Sequence, residues 1–439
     1  MSQSDRRYSC LKPLPSRRST IVSVLDVGTS KVACLIARLK PREAGDVLRG
    51  RTHTIEVLGI GHHRSAGVKS GVIVDLDAAE HSIRHAVDAA ERMSGITVES
   101  LIVNVSAGRI GSETFSASVS LAGHEVEEDD IHRVLAAGST HSVREGRRVV
   151  HSLPIGYALD GNRGIADPRG MLGDRLGVDM HVLSADVAPL RNLELCINRC
   201  HLQVEAMVAT PYASGLSTLV DDEAELGVAA VDMGGGTTTV AVFVEGQAVW
   251  AETVPVGGMH VTNDIARGLS TRLADAERIK TLYGSALASA ADDRDILTVP
   301  PVSEDDRDTP NHIPRAALTR IIRPRVEEIL ELVRDRLTAS GFASLVGRRL
   351  VITGGASQLT GLSEVARRIV ARNVRLGRPL GIAGLPEAGK GPAFATVVGL
   401  LIYPQVAPIA YYESRRPRRL LTGTDGYFAR VGQWIRDSF

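Results

Sequence analysis

Two carboxylates in this 439-residue chain stand in equivalent surroundings. Asp26 closes the apolar run Ile21-Val-Ser-Val-Leu25 and leads into Gly28-Thr29-Ser30-Lys31. Asp232 closes Val228-Ala-Ala-Val231 and leads into Gly234-Gly235-Gly236-Thr237-Thr238. Glycines let a turn take positive φ and aim several N–H groups at one anion. Thr237 and Thr238 add hydroxyl donors, and Lys31 adds an ammonium where phosphate oxygens would lie. A carboxylate beside phosphate donors suits a Mg-nucleotide, because Mg²⁺ keeps several waters and takes few protein oxygens. Asp26 and Asp232 are therefore candidate Mg²⁺ ligands through water. Taken alone, either stretch could be a glycine-rich bend with no ligand. Two facing each other would clamp a phosphate chain from both sides.

The elements that must position these groups follow from the flanking residues. Apolar β-branched runs on both sides of a Gly cluster predict strand, tight turn, strand. A third piece, Leu350-Val-Ile-Thr-Gly354-Gly355-Ala356, predicts a strand running into a Gly turn, with a helix over about 361–372. N–H groups so placed suit a sugar or phosphate edge. No Gly-Lys-Thr/Ser opens a helix after the first strand, which excludes a Walker loop. The Gly turns lead into strands, which excludes a Rossmann fingerprint.

Composition sets the bounds. Fifty-one basic and 51 acidic side chains cancel, so nothing argues for a nucleic-acid partner. A 44% hydrophobic share supports large cores in two to four domains. No apolar run reaches transmembrane length and the N-terminus lacks a signal peptide's apolar stretch, so a cytoplasmic protein is expected. Cys196, Cys200 and His201 sketch a metal site without a second Cys/His pair nearby, and read as small helix residues.

In chain order, residues 1–20 read as a disordered arm. Strands at 55–60 and 101–105 flank a helix over 76–93 that ends at Gly95. Residues 104–182 change character into a small α+β unit, where the acidic run 125–130 complements a helix start. Helices are predicted over 190–199 and 212–219. After the second hairpin, Gly257 and Gly258 precede a helix with Asn263 and Asp264. Glu277 and Lys280 then share one face of the next helix, as a site pair or as a plain surface ion pair. Residues 292–312 predict a loop with one short strand, before a helix over 315–340 interrupted near Pro324. Ala393, Ala395 and Gly399 would allow close packing of the last helix in the body.

These pieces, in this order, resemble the actin, sugar kinase and heat-shock chaperone ATPase superfamily. Within it, residues 20–405 resemble FtsA, the bacterial actin-like division family. The stretches 67–75, 254–258, 276–284 and 321–328 carry that resemblance beside the three motifs. It implies an α/β, ribonuclease H-like two-domain ATPase fold with four subdomains. Their expected limits are 1A at 21–103, 183–224 and 386–410; 1C at 104–182; 2A at 225–262 and 341–385; and 2B at 263–340. It further implies that ATP with Mg²⁺ occupies the two turns, Gly257-Gly258 and Gly354-Gly355-Ala356, with Glu277 and Lys280 near the ribose and base. Subdomain 2B would receive the C-terminal tail of FtsZ, with Arg320, Arg323 and Arg325 as plausible contacts. Subdomain 1C would serve self-contacts and later division proteins. Where hydrolytic relatives resemble one another in a glutamate before Pro211, this chain has Thr210. A threonine is no carboxylate base, so ATP binding with slow turnover is expected. A pilus-assembly ATP-binding protein resembling FtsA and a small-molecule kinase on the same fold are the alternatives.

The chain closes with a basic linker, 411–424, and a predicted amphipathic helix, 425–439. Phe428, Val431, Trp434, Ile435 and Phe439 fall on one helical face, with Arg430 and Arg436 elsewhere. That form suits an interfacial anchor on anionic lipid, on the cytoplasmic face of the inner membrane. Docking of the helix on the body is the alternative, and the Pro-containing linker argues against it.

Overall fold

The computed structural model describes residues 11, 13–42, 51–139, 143–302, 310–371 and 373–410. The expected anchor residues Phe428, Val431, Trp434, Ile435 and Phe439 lie outside them, as does the linker before them.

The first domain opens with β1 (Thr20–Val27), β2 (Lys31–Pro41) and β3 (His53–Arg64). A ribbon of β4 (Val68–Lys69) and β5 (Val72–Ile73), helix α1 (Leu76–Ser94) and β6 (Ser100–Val105) follow. An insert then comprises β7 (Gly111–Ser120), α2 (Glu128–Gly138), β8 (Arg147–Leu159), β9 (Asn162–Ile165) and β10 (Arg175–Asp186). The chain returns through α3 (Val187–Arg199), β11 (Gln203–Ala209) and α4 (Thr210–Thr218), and α5 (Asp221–Leu226) leads onward. The second domain holds β12 (Val228–Met233), β13 (Thr238–Val244), β14 (Gln247–Val254), α6 (Gly258–Gly268) and α7 (Leu273–Tyr283). It continues with β15 (Ile296–Val299), β16 (Asn311–Pro314), α8 (Arg315–Ala339), β17 (Arg349–Thr353), α9 (Leu362–Ile369) and β18 (Asn373–Leu376). Strand β19 (Ile382–Ala383) and helix α10 (Ala395–Ala410) close the first domain.

The two large sheets repeat one plan. The first runs β11-β6-β1-β2-β3-β19 and the second β18-β17-β12-β13-β14. In each, an antiparallel meander of three strands is extended beside its first strand by two parallel ones. Strands buried on both faces need continuous apolar runs, and Val228–Val231 and Val32–Ala37 supply them.

Helix α1 shows how sequence fixes the packing. Asp75 accepts the Ala78 N–H as its N-cap, and Gly95 ends it at φ 69°. Its stripe Ala79, Ile83, Ala86 and Ala90 lies on β3, where a Cβ on Gly61 would come within 1.9 Å of the Ala86 carbonyl oxygen. Helix α10 approaches α4 in the same way, with Gly399 against the Ala213 backbone.

Three expectations change. The arm expected over 1–20 is packed in part, with Leu11 buried in the first domain's core and Leu14 against it. Helix α8 runs uninterrupted through Pro324. The proline sits on the exposed face, where water can take the carbonyl it leaves unpaired, while Ile322, Val326 and Ile329 keep the buried stripe continuous. The loop before α8 contains a second strand, β16, paired antiparallel with β15. Four residues with little alternation gave it no period to read.

Candidate nucleotide cleft

The two hairpins close in the same way. Asp26 pairs with Ala33 in β2, and the Gly28 N–H donates to the Lys31 carbonyl at 3.0 Å. Asp232 pairs with Thr239 in β13, and the Gly234 N–H donates to the Thr237 carbonyl at 2.9 Å. Each aspartate thus stands two residues before the closing glycine, buried at the end of a central strand.

The turns meet across the domains. A Cβ on Gly235 would lie 3.1 Å from Ser30 Cβ, and one on Gly236 2.4 Å from Thr29 Oγ1 and 2.9 Å from Ser70 Cα. Thr29 Oγ1 accepts the Gly71 N–H at 3.1 Å, so the β4–β5 ribbon braces the first turn against the second. Between them lies a cleft of about 530 Å³. It is lined by Asp26, Gly28, Thr29, Ser30 and Lys31, and by Asp232, Gly234, Gly235, Gly236 and Thr237. Gly258, Glu277, Lys280, Gly354, Gly355 and Ala356 complete the set of sequence candidates that face it.

Thr238 and Gly257 do not line the cleft. Alternation along β13 turns Thr238 away, and its hydroxyl donates to the Val256 carbonyl at 2.8 Å. Gly257 packs beneath the second turn, where a Cβ would lie 2.6 Å from the Gly234 carbonyl oxygen. The first N–H groups of α6 are occupied there as well. Gly258 and Met259 donate to the Gly234 and Gly235 carbonyls at 2.9 and 2.7 Å. The start of α6 therefore holds the second turn in place.

Lining residues that the sequence reading missed include Asn104, Thr239 and Thr396. Thr396 donates to Asp232 Oδ2 at 2.7 Å. Asn104 accepts the Val27 N–H at 2.7 Å and donates to Thr210 Oγ1 at 3.2 Å. The signal for Asn104 was a lone amide inside the apolar strand Leu101–Val105. Glu277 and Lys280 are paired at 2.7 Å, and Lys280 also donates to Thr262 Oγ1 at 2.8 Å and to the Gly258 carbonyl at 3.2 Å. That pair is anchored to α6 at the rim.

Electrostatics favour a cation. Burial pushes the Asp26 carboxyl up to about 7, Lys31 pulls it down, and Asp232 pushes it up. Burial likewise raises Asp232 against its hydrogen bond from Thr396, and lowers Lys31 against both aspartates. Lys31 donates to the Ala393 carbonyl and lies 3.6 Å from the Phe394 ring centroid. Two desolvated carboxylates sharing one ammonium would be relieved by a further positive charge. Beside them, Gly354 takes φ +87° and packs on the end of β12, where a Cβ would lie 2.4 Å from Asp232 Oδ1. Carboxylates for a hydrated Mg²⁺, turns rich in backbone donors and a glycine-lined wall fit a Mg-nucleotide.

The family model described as "Cell division protein FtsA" matches residues 229–399, and that of the "SHS2 domain inserted in FTSA" matches residues 107–184, the insert. Cell division protein FtsA of Rhizobium meliloti is 62% identical over 429 residues, covering 98% of this chain and 97% of that protein. The chain belongs to the FtsA family. Its Escherichia coli K12 member is 31% identical over 426 residues, covering 95% of this chain and 98% of its own. The fold is that of actin-like ATPases. A PilM-PilN type IV pilus biogenesis complex chain has a TM-score of 0.58 at 14% identity, over 88% of this chain and 98% of its own. MreB5 of Spiroplasma citri bound to ADP has 0.50 at 13%, over 89% and 97%. As an FtsA-family member the protein acts in cell division.

In α8, Arg325 is held by Asp264 at 2.6 Å and by Glu328, and Arg323 lies 2.7 Å from Glu327. Arg320 is exposed. Cys196 and Cys200 lie on and just after α3 with their thiols against backbone carbonyls, and burial raises both.

Proposed function

We propose that the protein binds Mg-ATP between its two turns and that copies assemble into protofilaments on the inner membrane, tethering FtsZ. The observation that carries this reading is the pair of Asp-x-Gly hairpins, one from each of two equivalent sheets, closed on one cleft. Turn N–H groups and Lys31 would hold the phosphates, and Asp26 and Asp232 would hold Mg²⁺ through water. Gly354, Gly355 and Ala356 would face the adenosine, with Glu277 and Lys280 at the ribose and base. When bound, Mg²⁺ supplies charge neutralisation between the phosphates and the two carboxylates. Thr210 offers no base for water attack, so the nucleotide acts as an assembly switch with slow turnover.

Residues 425–439 would be the anchor. No helix among the described residues is long and apolar enough to cross a membrane. The FtsZ tail, acidic and apolar, would meet the subdomain around α8, where Arg320 and Arg323 offer guanidinium groups for carboxylates. The insert would serve self-contacts and later division proteins.

Co-sedimentation with anionic liposomes tests the reading. The full chain with Mg-ATP should pellet and carry FtsZ with it, and a chain ending at Thr422 should stay in the supernatant. Equal pelleting of the two chains would sink the anchor assignment.

A further inference from the structure

The insert touches both sheets through buried polar side chains. On the first side, His151 of β8 is 0% exposed, and its Nε2 accepts the Ala209 N–H at 2.9 Å. Ala209 ends β11, the outer strand of the first sheet, and the next residue, Thr210, lines the cleft. On the second side, His181 of β10, also 0% exposed, lies 2.7 Å by Nδ1 from the Ala248 carbonyl oxygen. Ser112 Oγ of β7 lies 2.9 Å from His181 Nε2, and bonds both the N–H and the carbonyl of Ala251 at 2.7 Å. Ala248 and Ala251 belong to β14, the outer strand of the second sheet.

Outer strands leave backbone groups without a neighbouring strand, and buried ones need partners. Three side chains of one insert meet that need on opposite sides of the cleft. Its apolar residues also reach both domains. Val150, Leu153 and Leu183 belong to a core that includes residues of both large sheets, Ala248 and Ala251 among them, and Ile155 packs on the core of the second domain alone. From each clasp the strands lead to a turn. Strand β14 pairs with β13, where Val254 faces Thr238 just after the second turn. Thr210 bonds Asn104, which accepts the Val27 N–H just before the first.

We propose that Ser112, His151 and His181 are positioning residues that make the insert a reader of nucleotide state. The two sheet edges it joins move relative to one another when the domains close on nucleotide, so the insert's seating shifts with occupancy. Linkage makes the effect reciprocal: a protein partner that binds the insert in one seating changes nucleotide affinity by the same factor. This rests on nucleotide binding in the cleft.

Hydrogen exchange on the full chain with and without a non-hydrolysable Mg-ATP analogue tests it. In the wild type, exchange at β7, β10 and β14 should slow by about fivefold or more on binding, a coupling of ordinary size. In Ser112→Ala, and in Ser112→Ala with His181→Gln, the β7 and β10 response should be lost while both turns remain protected by nucleotide. As a control, Leu176→Ala loosens the insert's own core without touching a clasp, and should raise exchange there but keep the response. No nucleotide-dependent change in the wild-type insert overturns the proposal, as does a full response in the Ser112 variants. Absence of protection at Gly28–Lys31 and Gly234–Thr237 would instead show that the cleft does not bind nucleotide, and both readings would fall together.

Discussion

Replacing Gly236 by alanine separates the closing of the cleft from the folding of its walls. Gly236 has an ordinary negative-side backbone, so the second turn itself accepts a Cβ. The methyl would instead stand 2.4 Å from Thr29 Oγ1 and 2.9 Å from both Ser70 Cα and its nitrogen, all in the first domain. Thr29 can rotate, but the Ser70 backbone cannot, so the turns must part. Overpacking of this kind costs about 1–3 kcal/mol. The cost falls on the closed arrangement, and at about 1.4 kcal/mol per decade it weakens Mg-ATP binding about 5- to 150-fold. Stability without nucleotide should change by no more than about 0.5 kcal/mol, as for a mild substitution away from the core. Titration calorimetry for affinity and urea unfolding for stability read the two effects separately. Affinity within twofold of wild type would refute the claim that both turns meet around the ligand. Lost stability with unchanged affinity would place the requirement for glycine inside the second turn.

Other perturbations have distinct signatures. Gly354→Ala combines a left-handed φ of +87° with a 2.4 Å approach to Asp232 Oδ1, and should cost about 2–5 kcal/mol in urea unfolding as well as nucleotide affinity. His151 is held by burial at about 3 against 6.5 for the free imidazole. As pH falls below 6.5 the unfolded chain takes up the proton first, so this stability is present above 6.5 and is lost on acidification. Between pH 7.5 and 5.5 the wild type should lose about 1.4 kcal/mol more than His151→Leu, as measured by unfolding at the two pH values. Arg320→Glu should weaken capture of an FtsZ-tail peptide at unchanged melting temperature, and Arg323→Glu should weaken it with a small drop in melting temperature, because Glu327 would face a like charge. Arg325→Glu should lower the melting temperature, because Asp264 and Glu328 would lose their partner and face a like charge.

Much of the site was legible because its signals are local. Asp26 and Asp232 each end an apolar β-branched run before glycine, and both hairpins form as that pattern implies. Gly354 and Gly355 follow a strand, and the left-handed φ at Gly354 is what only glycine takes easily there. What stayed hidden depends on partners distant in sequence. Thr396 reaches Asp232 across 164 positions, and His151 reaches Ala209 across 58. No spacing rule marks either. Assigning Thr238 to the cleft in place of Thr239 was an error of phase, since strand alternation selects every second residue once the turn is closed. The Pro324 interruption was overstated because the cost of a proline depends on whether its carbonyl partner meets water, which burial decides.

The central claim is that one nucleotide is held by both turns at once. Hydrogen exchange of the full chain with and without Mg-ATP, read at Gly28–Lys31 and at Gly234–Thr237, tests it most directly. Simultaneous protection of both turns, abolished when Mg²⁺ is chelated, is the predicted result. Protection of one turn alone, or of neither at saturating nucleotide, would contradict it.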